Sequence, residues 1–224
     1  MKSLCLSLCI GCIFIACSTL PSLQPADHAV RGEFPQTCHR LFPSGKWQFV
    51  HSIEAVMPGG HRGLVMGATI ISSRDKSARC VLMTIEGLVV FDAQFDQRLV
   101  INRAVAPFDN EDFAAGLIRD IKLIFFMPQG SLVEIGNDPN DASVCRYQNP
   151  DGRIVDLVID ADHTWHIRQY TAQQRLSRTV DAIFTKKESD GHGPDFPNRL
   201  ELRAHDGVGY TLIMELVEAV PLTP

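Results

Sequence analysis

Most of the chain alternates short apolar segments with polar turns. Segments rich in Val, Ile, Phe and Thr recur from residue 46 onward, separated by turn signals such as Pro58-Gly59-Gly60 and Asp206-Gly207. Short segments at this spacing predict hairpin-linked antiparallel strands. We predict ten or eleven strands, at residues 46–57, 64–72, 78–84, 88–95, 98–103, 143–147, 153–160, 164–171, 175–184, 199–204 and 210–217.

Several of these strands are apolar on both faces. The stretch at residues 64–71 reads Leu-Val-Met-Gly-Ala-Thr-Ile-Ile and has no polar side beyond one threonine. Such a strand is covered on both sides, either by a second layer of the protein or by an apolar molecule outside the chain. Together with one or two helices, the strands predict a barrel-like or strongly curved sheet.

One segment has the longer period of a helix. Phe113, Leu117, Ile121 and Phe125 recur every four residues, and Pro128 and Gly130 follow them. We predict that Asp109 caps this helix, that Asp112 occupies the capping-box position, and that Arg119, Asp120 and Lys122 form its polar side. The broad apolar face either packs on the sheet as an ordinary core or forms a lid over an apolar cavity.

The front of the chain is an export signal rather than part of the fold. Lys2 precedes an uncharged apolar run at residues 4–16, which is short of the roughly 20 residues that cross a membrane. An uncut short anchor is the alternative. The end of the run, Phe14-Ile15-Ala16-Cys17, resembles the lipobox of bacterial lipoproteins, in which the cysteine is lipidated. We therefore divide the chain into a signal at 1–16, a lipid-anchored tether at 17–45 and a folded domain at 46–220.

Composition and charge exclude several classes of protein. The 224 residues carry 21 Lys and Arg against 26 Asp and Glu, a net charge of −5, and 45% are hydrophobic. This is neither a disordered nor a disulfide-scaffold composition, and it lacks the basic surplus of a nucleic-acid binder. Beyond the signal and Cys17, three cysteines remain. Cys38, Cys80 and Cys145 are either small core residues or include one bridge from Cys38.

Catalytic signatures are absent from the sequence. There is no Gly-x-Ser-x-Gly elbow, dinucleotide turn or phosphate loop. His163 and His166 lie three apart on a predicted strand and therefore face opposite sides, and His192 lies in a charged loop. We expect no enzyme activity, no catalytic residue, no metal site and no cofactor.

Three stretches resemble the LolA/LolB-type lipoprotein localisation factors, and among them a group of LolB-like bacterial lipoproteins. They are the strand-loop-strand at residues 79–88, the acidic-capped helix at 109–130, and the closing hairpin at 196–212. The resemblance implies an α+β fold that is mainly β: an unclosed, strongly curved antiparallel half-barrel with a helical lid over an acyl-chain cavity. The candidate lining residues are Trp47, Phe49, Ile53, Val65, Ile71, Met83, Phe91, Leu117, Ile121 and Phe125. Each is alternatively a plain core residue.

In LolB-type proteins the loop between the third and fourth strands carries a protruding leucine that serves membrane delivery. The corresponding loop here is Thr84-Ile85-Glu86-Gly87. Glu86 stands at the place of that leucine, which leaves Ile85 as the apolar candidate and favours a specialised paralogue or a binder of another lipid.

The resemblance implies a lipoprotein of the bacterial envelope, anchored through Cys17 to the outer membrane and facing the periplasm. Its partners would be the acyl chains of a lipid or lipoprotein, the membrane and a periplasmic carrier protein, with no nucleic acid. The alternative is a non-catalytic structural or interaction lipoprotein of an envelope complex. A hydrolase ranks third.

Overall fold

The computed structural model describes residues 20–25, 34–162, 164–184 and 196–223. Within these ranges the chain forms two α-helices, α1 (Phe34–His39) and α2 (Glu111–Phe125), and a short 3-10 turn at Pro58–Gly60. The strands are β1 (Gln24–Pro25), β2 (Lys46–Val56), β3 (Arg62–Ser72), β4 (Ser77–Met83), β5 (Val89–Asp96), β6 (Arg98–Ala104), β7 (Ser131–Asn137), β8 (Ser143–Gln148), β9 (Ile154–Ile159), β10 (Trp165–Tyr170), β11 (Leu176–Ile183), β12 (Arg199–Ala204) and β13 (Tyr210–Leu222).

All thirteen strands belong to one antiparallel sheet, in the order β1-β7-β8-β9-β10-β11-β12-β13-β2-β3-β4-β5-β6. Neither β1 nor β6 pairs a second strand, so the sheet is unclosed. The half-barrel with a helical lid is therefore confirmed. The long central strands β13, β2 and β3 pair over most of their length, with one register shift between Leu216 and Glu218.

The sheet has two strands more than the largest number predicted. The additional strands are β1 and β7, which lie at one edge. Most side chains of β7 are exposed, and a register shift between Leu132 and Glu134 interrupts its pairing. An exposed edge strand has little apolar alternation, which is why its sequence did not predict a strand.

The main core lies between α2 and the sheet face that turns toward it. Strand alternation sends Phe49, Ile71 and Phe91 to this face, and all three are almost fully buried. From the other half of the sheet, Leu157, Ile167 and Leu202 join the same cluster. The helix thus covers an apolar surface to which both halves of the sheet contribute.

The segment before β2 packs on the domain, although the sequence suggested a tether up to residue 45. Cys38 on α1 is fully buried in the main core, and residues 41 and 42 pack against it. Pro21 and Leu23 lie on the opposite face of the sheet, where the Pro21 carbonyl accepts a hydrogen bond of 2.8 Å from Arg146. A proline-rich segment can form few regular hydrogen bonds, but side-chain packing holds it in place.

Candidate functional site

The lid helix α2 begins one residue later than predicted. The Oδ1 atom of Asn110, rather than Asp109, accepts a hydrogen bond of 2.7 Å from the Asp112 amide. Asn110 has the extended backbone of a capping residue, and Glu111 and Asp112 occupy the first turn, where the helix dipole favours negative charge. The helix ends at Phe125, and the Phe126 amide donates to the Lys122 carbonyl before Pro128 follows.

Aromatic side chains connect α2 to the sheet. Phe125 stacks on Phe49 of β2 with ring centroids 4.9 Å apart, and Phe113 meets the edge of Phe91 of β5 at 5.3 Å. Between these two contacts Ile118 and Ile121 are buried. The apolar face of the helix, predicted from its period, therefore lies on the apolar face of the sheet.

Nine of the ten candidate lining residues belong to this one cluster. Five are buried in it, namely Phe49, Ile71, Phe91, Ile121 and Phe125, and four are partly buried against it, namely Trp47, Ile53, Val65 and Leu117. Met83 is the exception. It pairs with Met66 on β3, whereas its neighbour Leu82 pairs with Gly67 and Phe91 on the core face. Because neighbouring strand residues point to opposite faces, Met83 lies on the face away from α2.

An apolar pocket lies where α2, β2 and the segments before β2 and β12 meet. Its cavity volume is about 20 Å³, roughly what one water molecule needs. Of the ten candidates only Phe49 and Phe125 line it. The other lining residues are Leu41, Pro43, His51, Ile124, Trp165, Phe196, Pro197, Leu200 and Leu216. Several of these lie in segments without a helix or strand period, so sequence reasoning had no signal for them.

His51 is the polar residue of this apolar pocket. Its side chain is 4% exposed, and its ring lies 6.2 Å from the rings of both Phe49 and Phe125. Burial disfavours the protonated form and lowers the pKa of His51 to about 4. The imidazole is therefore neutral at physiological pH, which suits an apolar surrounding.

A buried polar cluster fastens the middle of α2 to the sheet. Asp120 accepts hydrogen bonds from Arg178 on β11, at 3.2 Å, and from the Tyr210 hydroxyl on β13. Arg178 also pairs with Asp206. Burial raises the pKa of Asp120, against the opposing effects of Tyr210 and Arg178. The prediction that Asp120 belongs to the polar side of the helix is wrong, because it is 3% exposed and faces the sheet.

A disulfide bond joins Cys38 on α1 to Cys145 on β8, and Cys80 is a free, buried thiol. Of the two alternatives left open for the cysteines, the bridge from Cys38 is the one observed. Burial raises the pKa of the Cys80 thiol to about 12, so this cysteine serves as an apolar core residue rather than a nucleophile.

The proposed delivery loop protrudes between β4 and β5. Ile85 is 67% exposed and Leu88 is 58% exposed, and a backbone hydrogen bond from Gly87 to Thr84 closes the turn. Glu86 is exposed beside them. Leu88 is thus a second apolar side chain at the tip, which the sequence reasoning had placed at the start of a strand.

The candidate residues for metal or acid–base chemistry do not converge. In the described ranges no three His, Cys, Asp or Glu side chains could hold a metal ion together. His166 bonds Asp160 at 2.7 Å and Asp181 at 2.9 Å, and these bonds raise the pKa of His166, Asp181 having the largest effect. His163, His192 and the proposed lipidation site Cys17 lie outside the described residues.

No helix in the described ranges has the length and apolar character needed to cross a bilayer.

The sequence matches no family model and no curated protein. Several solved structures resemble the chain, including the following two. A LolA superfamily protein from Nitrosomonas europaea has a TM-score of 0.56 and 11% identity, over 87% of this chain and 94% of that one. A DUF1329 family protein from Desulfovibrio piger has a TM-score of 0.50 and 11% identity, over 87% and 95%. The chain shares the fold of these two proteins.

Proposed function

We propose that this LolA/LolB-like protein is a membrane-anchored lipoprotein of the bacterial envelope that binds acyl chains between α2 and the sheet. The observation that carries the proposal is the contact of an apolar helix face with an equally apolar sheet face, with Phe125 stacked on Phe49. The bound chains would belong to a lipid or lipoprotein on its way to, or being inserted into, the outer membrane.

The energetics of such a carrier require only apolar surface. An acyl chain that leaves a membrane for an apolar pocket exchanges one apolar environment for another, whereas exposure to water would cost about 0.8 kcal/mol per methylene. Phe49, Ile121 and Phe125 supply surface of this kind. A carrier of this type therefore works without a catalytic group or a cofactor.

Binding of a chain would require α2 to move. A cavity of about 20 Å³ is far too small for an acyl chain, since it holds about one water. The chain would therefore replace contacts that α2 now makes with the sheet. Uncharged aromatic contacts join the two ends of α2 to the sheet, whereas the buried Asp120–Arg178 ion pair holds its middle. We infer that the helix tilts about this buried pair.

Membrane attachment rests on the lipobox that ends at Cys17. Lipidation of this cysteine with two or more acyl chains would give a stable anchor. The likeness of the fold to a LolA superfamily protein supports a place in the envelope. The exposed side chains Ile85 and Leu88 would then contact the bilayer during delivery, and the charge of Glu86 would limit how deeply the loop enters.

Photoreactive acyl chains provide the test. The full-length chain, expressed in a bacterium fed a fatty acid with a diazirine in its tail, is illuminated and its labelled peptides are identified by mass spectrometry. We expect labels on α2 and on β2, inside the fold. The same protein illuminated in urea is the control, because unfolding removes the site. Labels confined to exposed surface residues would contradict the proposal.

The second candidate function is an interaction lipoprotein of an envelope complex. Exposed apolar side chains cluster at one end of the sheet, where the antiparallel order brings together the turns after β2, β4 and β12. They are Met57, Leu64, Ile85, Leu88 and Val208, which are 42–76% exposed. Such a patch is typical of a protein–protein contact. Crosslinking in cells that captures a stoichiometric envelope protein through this patch, without acyl labelling of α2, would favour it.

A further inference from the structure

A second pocket lies at the C-terminal end of α2, with a cavity volume of about 120 Å³. Four of its lining residues are cations: Lys76 from the turn between β3 and β4, Arg119 and Lys122 from α2, and Arg153 from the turn before β9. The lining contains no Asp or Glu. Three separate parts of the chain thus bring positive charge to one pocket.

Among the residues that the structure describes, three of these four cations form no ion pair. Arg153 pairs with Asp151, Nη2 to Oδ2 at 2.6 Å. The two lysines lie over aromatic rings: Lys122 Nζ is 3.2 Å from the centroid of the Phe95 ring, and Lys76 Nζ is 5.9 Å from the centroid of the Phe126 ring. Arg119 forms no ion pair with any residue in the described ranges.

The cationic side chains around this pocket repel one another. Arg119 and Lys122 are three residues apart on α2 and therefore share one helix face, where like charges destabilise. Desolvation lowers the pKa of Lys122. Arg119 acts electrostatically on the buried acid Asp120 and opposes the rise in its pKa that burial causes, but Asp120 already accepts hydrogen bonds from Arg178 and Tyr210. An anion in the pocket would relieve this repulsion.

The helix dipole accounts for only part of the cluster. A cation in the last turn, such as Lys122, is favoured at a helix C-terminus. Lys76 and Arg153 come from other elements, and Arg119 lies nearly two turns before the helix end. The helix dipole therefore does not explain why Lys76, Arg119 and Arg153 line the same pocket.

The floor of the pocket is apolar. Leu123, Phe126 and Val155 line it and are also buried members of the main core between α2 and the sheet. The pocket consequently leads from a basic rim to the apolar surface on which an acyl chain would lie. A ligand that matches both parts carries a negative head and an apolar tail.

We propose that this basic pocket binds the phosphate of an anionic lipid headgroup, while the acyl chains enter the core beside it. The inference rests on the proposed function, whose substrate class it narrows to anionic lipids. Arg119 and Arg153 have the fork of N–H donors that suits phosphate oxygens, and Lys76 and Lys122 add compact charges. Inorganic phosphate shares this chemistry, so the test has to separate the two sources.

The test measures lipid binding to the full-length chain in an uncharged detergent by native mass spectrometry. Phosphatidylglycerol is compared with phosphatidylcholine of the same acyl chains, and inorganic phosphate is added in a third arm. We expect a preference of about tenfold for phosphatidylglycerol, the size of one charge-assisted contact. Phosphatidylcholine has the same phosphate, but its choline ammonium cancels the negative charge, so the double variant Arg119→Gln/Lys122→Gln should weaken phosphatidylglycerol binding more than phosphatidylcholine binding and abolish the preference.

Arg74→Gln is the matched control, because Arg74 lies in the same turn as Lys76 and does not line the pocket. Equal unfolding midpoints would show that the variants fold. Equal binding of the two lipids, or a preference that survives the double variant, would overturn the headgroup site and leave the proposed function intact. Binding of inorganic phosphate without phosphatidylglycerol would also overturn it. If neither lipid binds, the proposed function itself fails.

Discussion

Asp120 on α2 and Arg178 on β11 form an ion pair with 3.2 Å between Oδ1 and Nε, and their side chains are 4% and 9% exposed. The two residues are 58 positions apart in the chain. The pair is a buried charged link between the lid helix and the sheet, so any movement of α2 that separated the two residues would break a costly contact.

Removal of one partner should destabilise the protein strongly. In the described part of the chain, Asp120→Ala leaves the buried Arg178 guanidinium with the half-exposed Asp206 as its one remaining carboxylate partner, and we expect a loss of about 3 kcal/mol in the free energy of unfolding. Urea titration followed by circular dichroism measures it. Glu54→Ala, which breaks the exposed pair with Arg62, should cost less than about 1 kcal/mol. Equal losses would contradict the importance of the buried pair.

His51 should make the fold sensitive to acid. Its folded pKa of about 4 lies below its ordinary value of 6.5, so its contribution to stability is complete above pH 6.5. That contribution is lost as the pH falls toward 4, to the extent of about 3 kcal/mol. Between pH 7 and pH 4, the unfolding free energy of the wild type should fall by this amount relative to that of His51→Phe. A pH-independent difference would contradict it.

His166 provides a comparison of opposite sign. Its pKa is raised by Asp181 and Asp160, so its contribution is complete below pH 6.5 and is lost as the pH rises through the folded value. The unfolding free energy of the wild type should therefore fall relative to that of His166→Gln as the pH rises above 6.5. Loss of that difference on the acidic side would show that the two aspartates do not hold the imidazolium.

The disulfide bond should stabilise the domain by constraining the unfolded chain. Cys38 and Cys145 are 107 residues apart, and closure of a loop of about this length contributes up to about 4–5 kcal/mol. Addition of dithiothreitol should lower the melting temperature of the wild type and leave that of Cys38→Ala/Cys145→Ala unchanged. An identical response of both proteins to the reductant would contradict the bridge.

Gly136 should be essential for attachment of the N-terminal segment. A Cβ atom at this position would lie 2.3 Å from the Gln24 carbonyl oxygen, and β1 pairs with β7 through Gly136 itself. We expect Gly136→Ala to release residues 20–25 and to speed amide hydrogen exchange there, while the other strands stay protected. Gly63→Ala, where a Cβ meets nothing within 4 Å, is the control and should leave that exchange unchanged.

Local periodicity was sufficient to predict eleven strands and α2, because alternation and the helical repeat depend only on neighbours in the sequence. It failed at residues whose environment comes from far away. Asp120 is one acid in an apolar helix and was read as solvent-facing, since Arg178 and Tyr210 lie 58 and 90 residues further on.

The candidate site likewise contains residues that the sequence alone could identify and residues that it could not. Ile121 and Phe125 follow the helical period, Phe49 is a candidate from the family resemblance, and all three lie in the main core. Leu41 and Phe196 line the apolar pocket from segments with no period. The basic pocket could not be found from sequence, because Lys76, Arg119 and Arg153 are brought together only by the curvature of the sheet.

The placement of Pro21 and Leu23 against the outer face of the sheet limits how far the domain could lie from the proposed anchor at Cys17. A free tether over residues 17–45 could extend about 100 Å, whereas Cys17 is only three positions before Leu20, the first residue that the structure describes, a span of about 10 Å. With the proposed anchor at Cys17, the domain would stay at the bilayer surface with the β1–β7 edge nearest to it. Under the proposed function, such a protein would receive its cargo from a partner that crosses the periplasm.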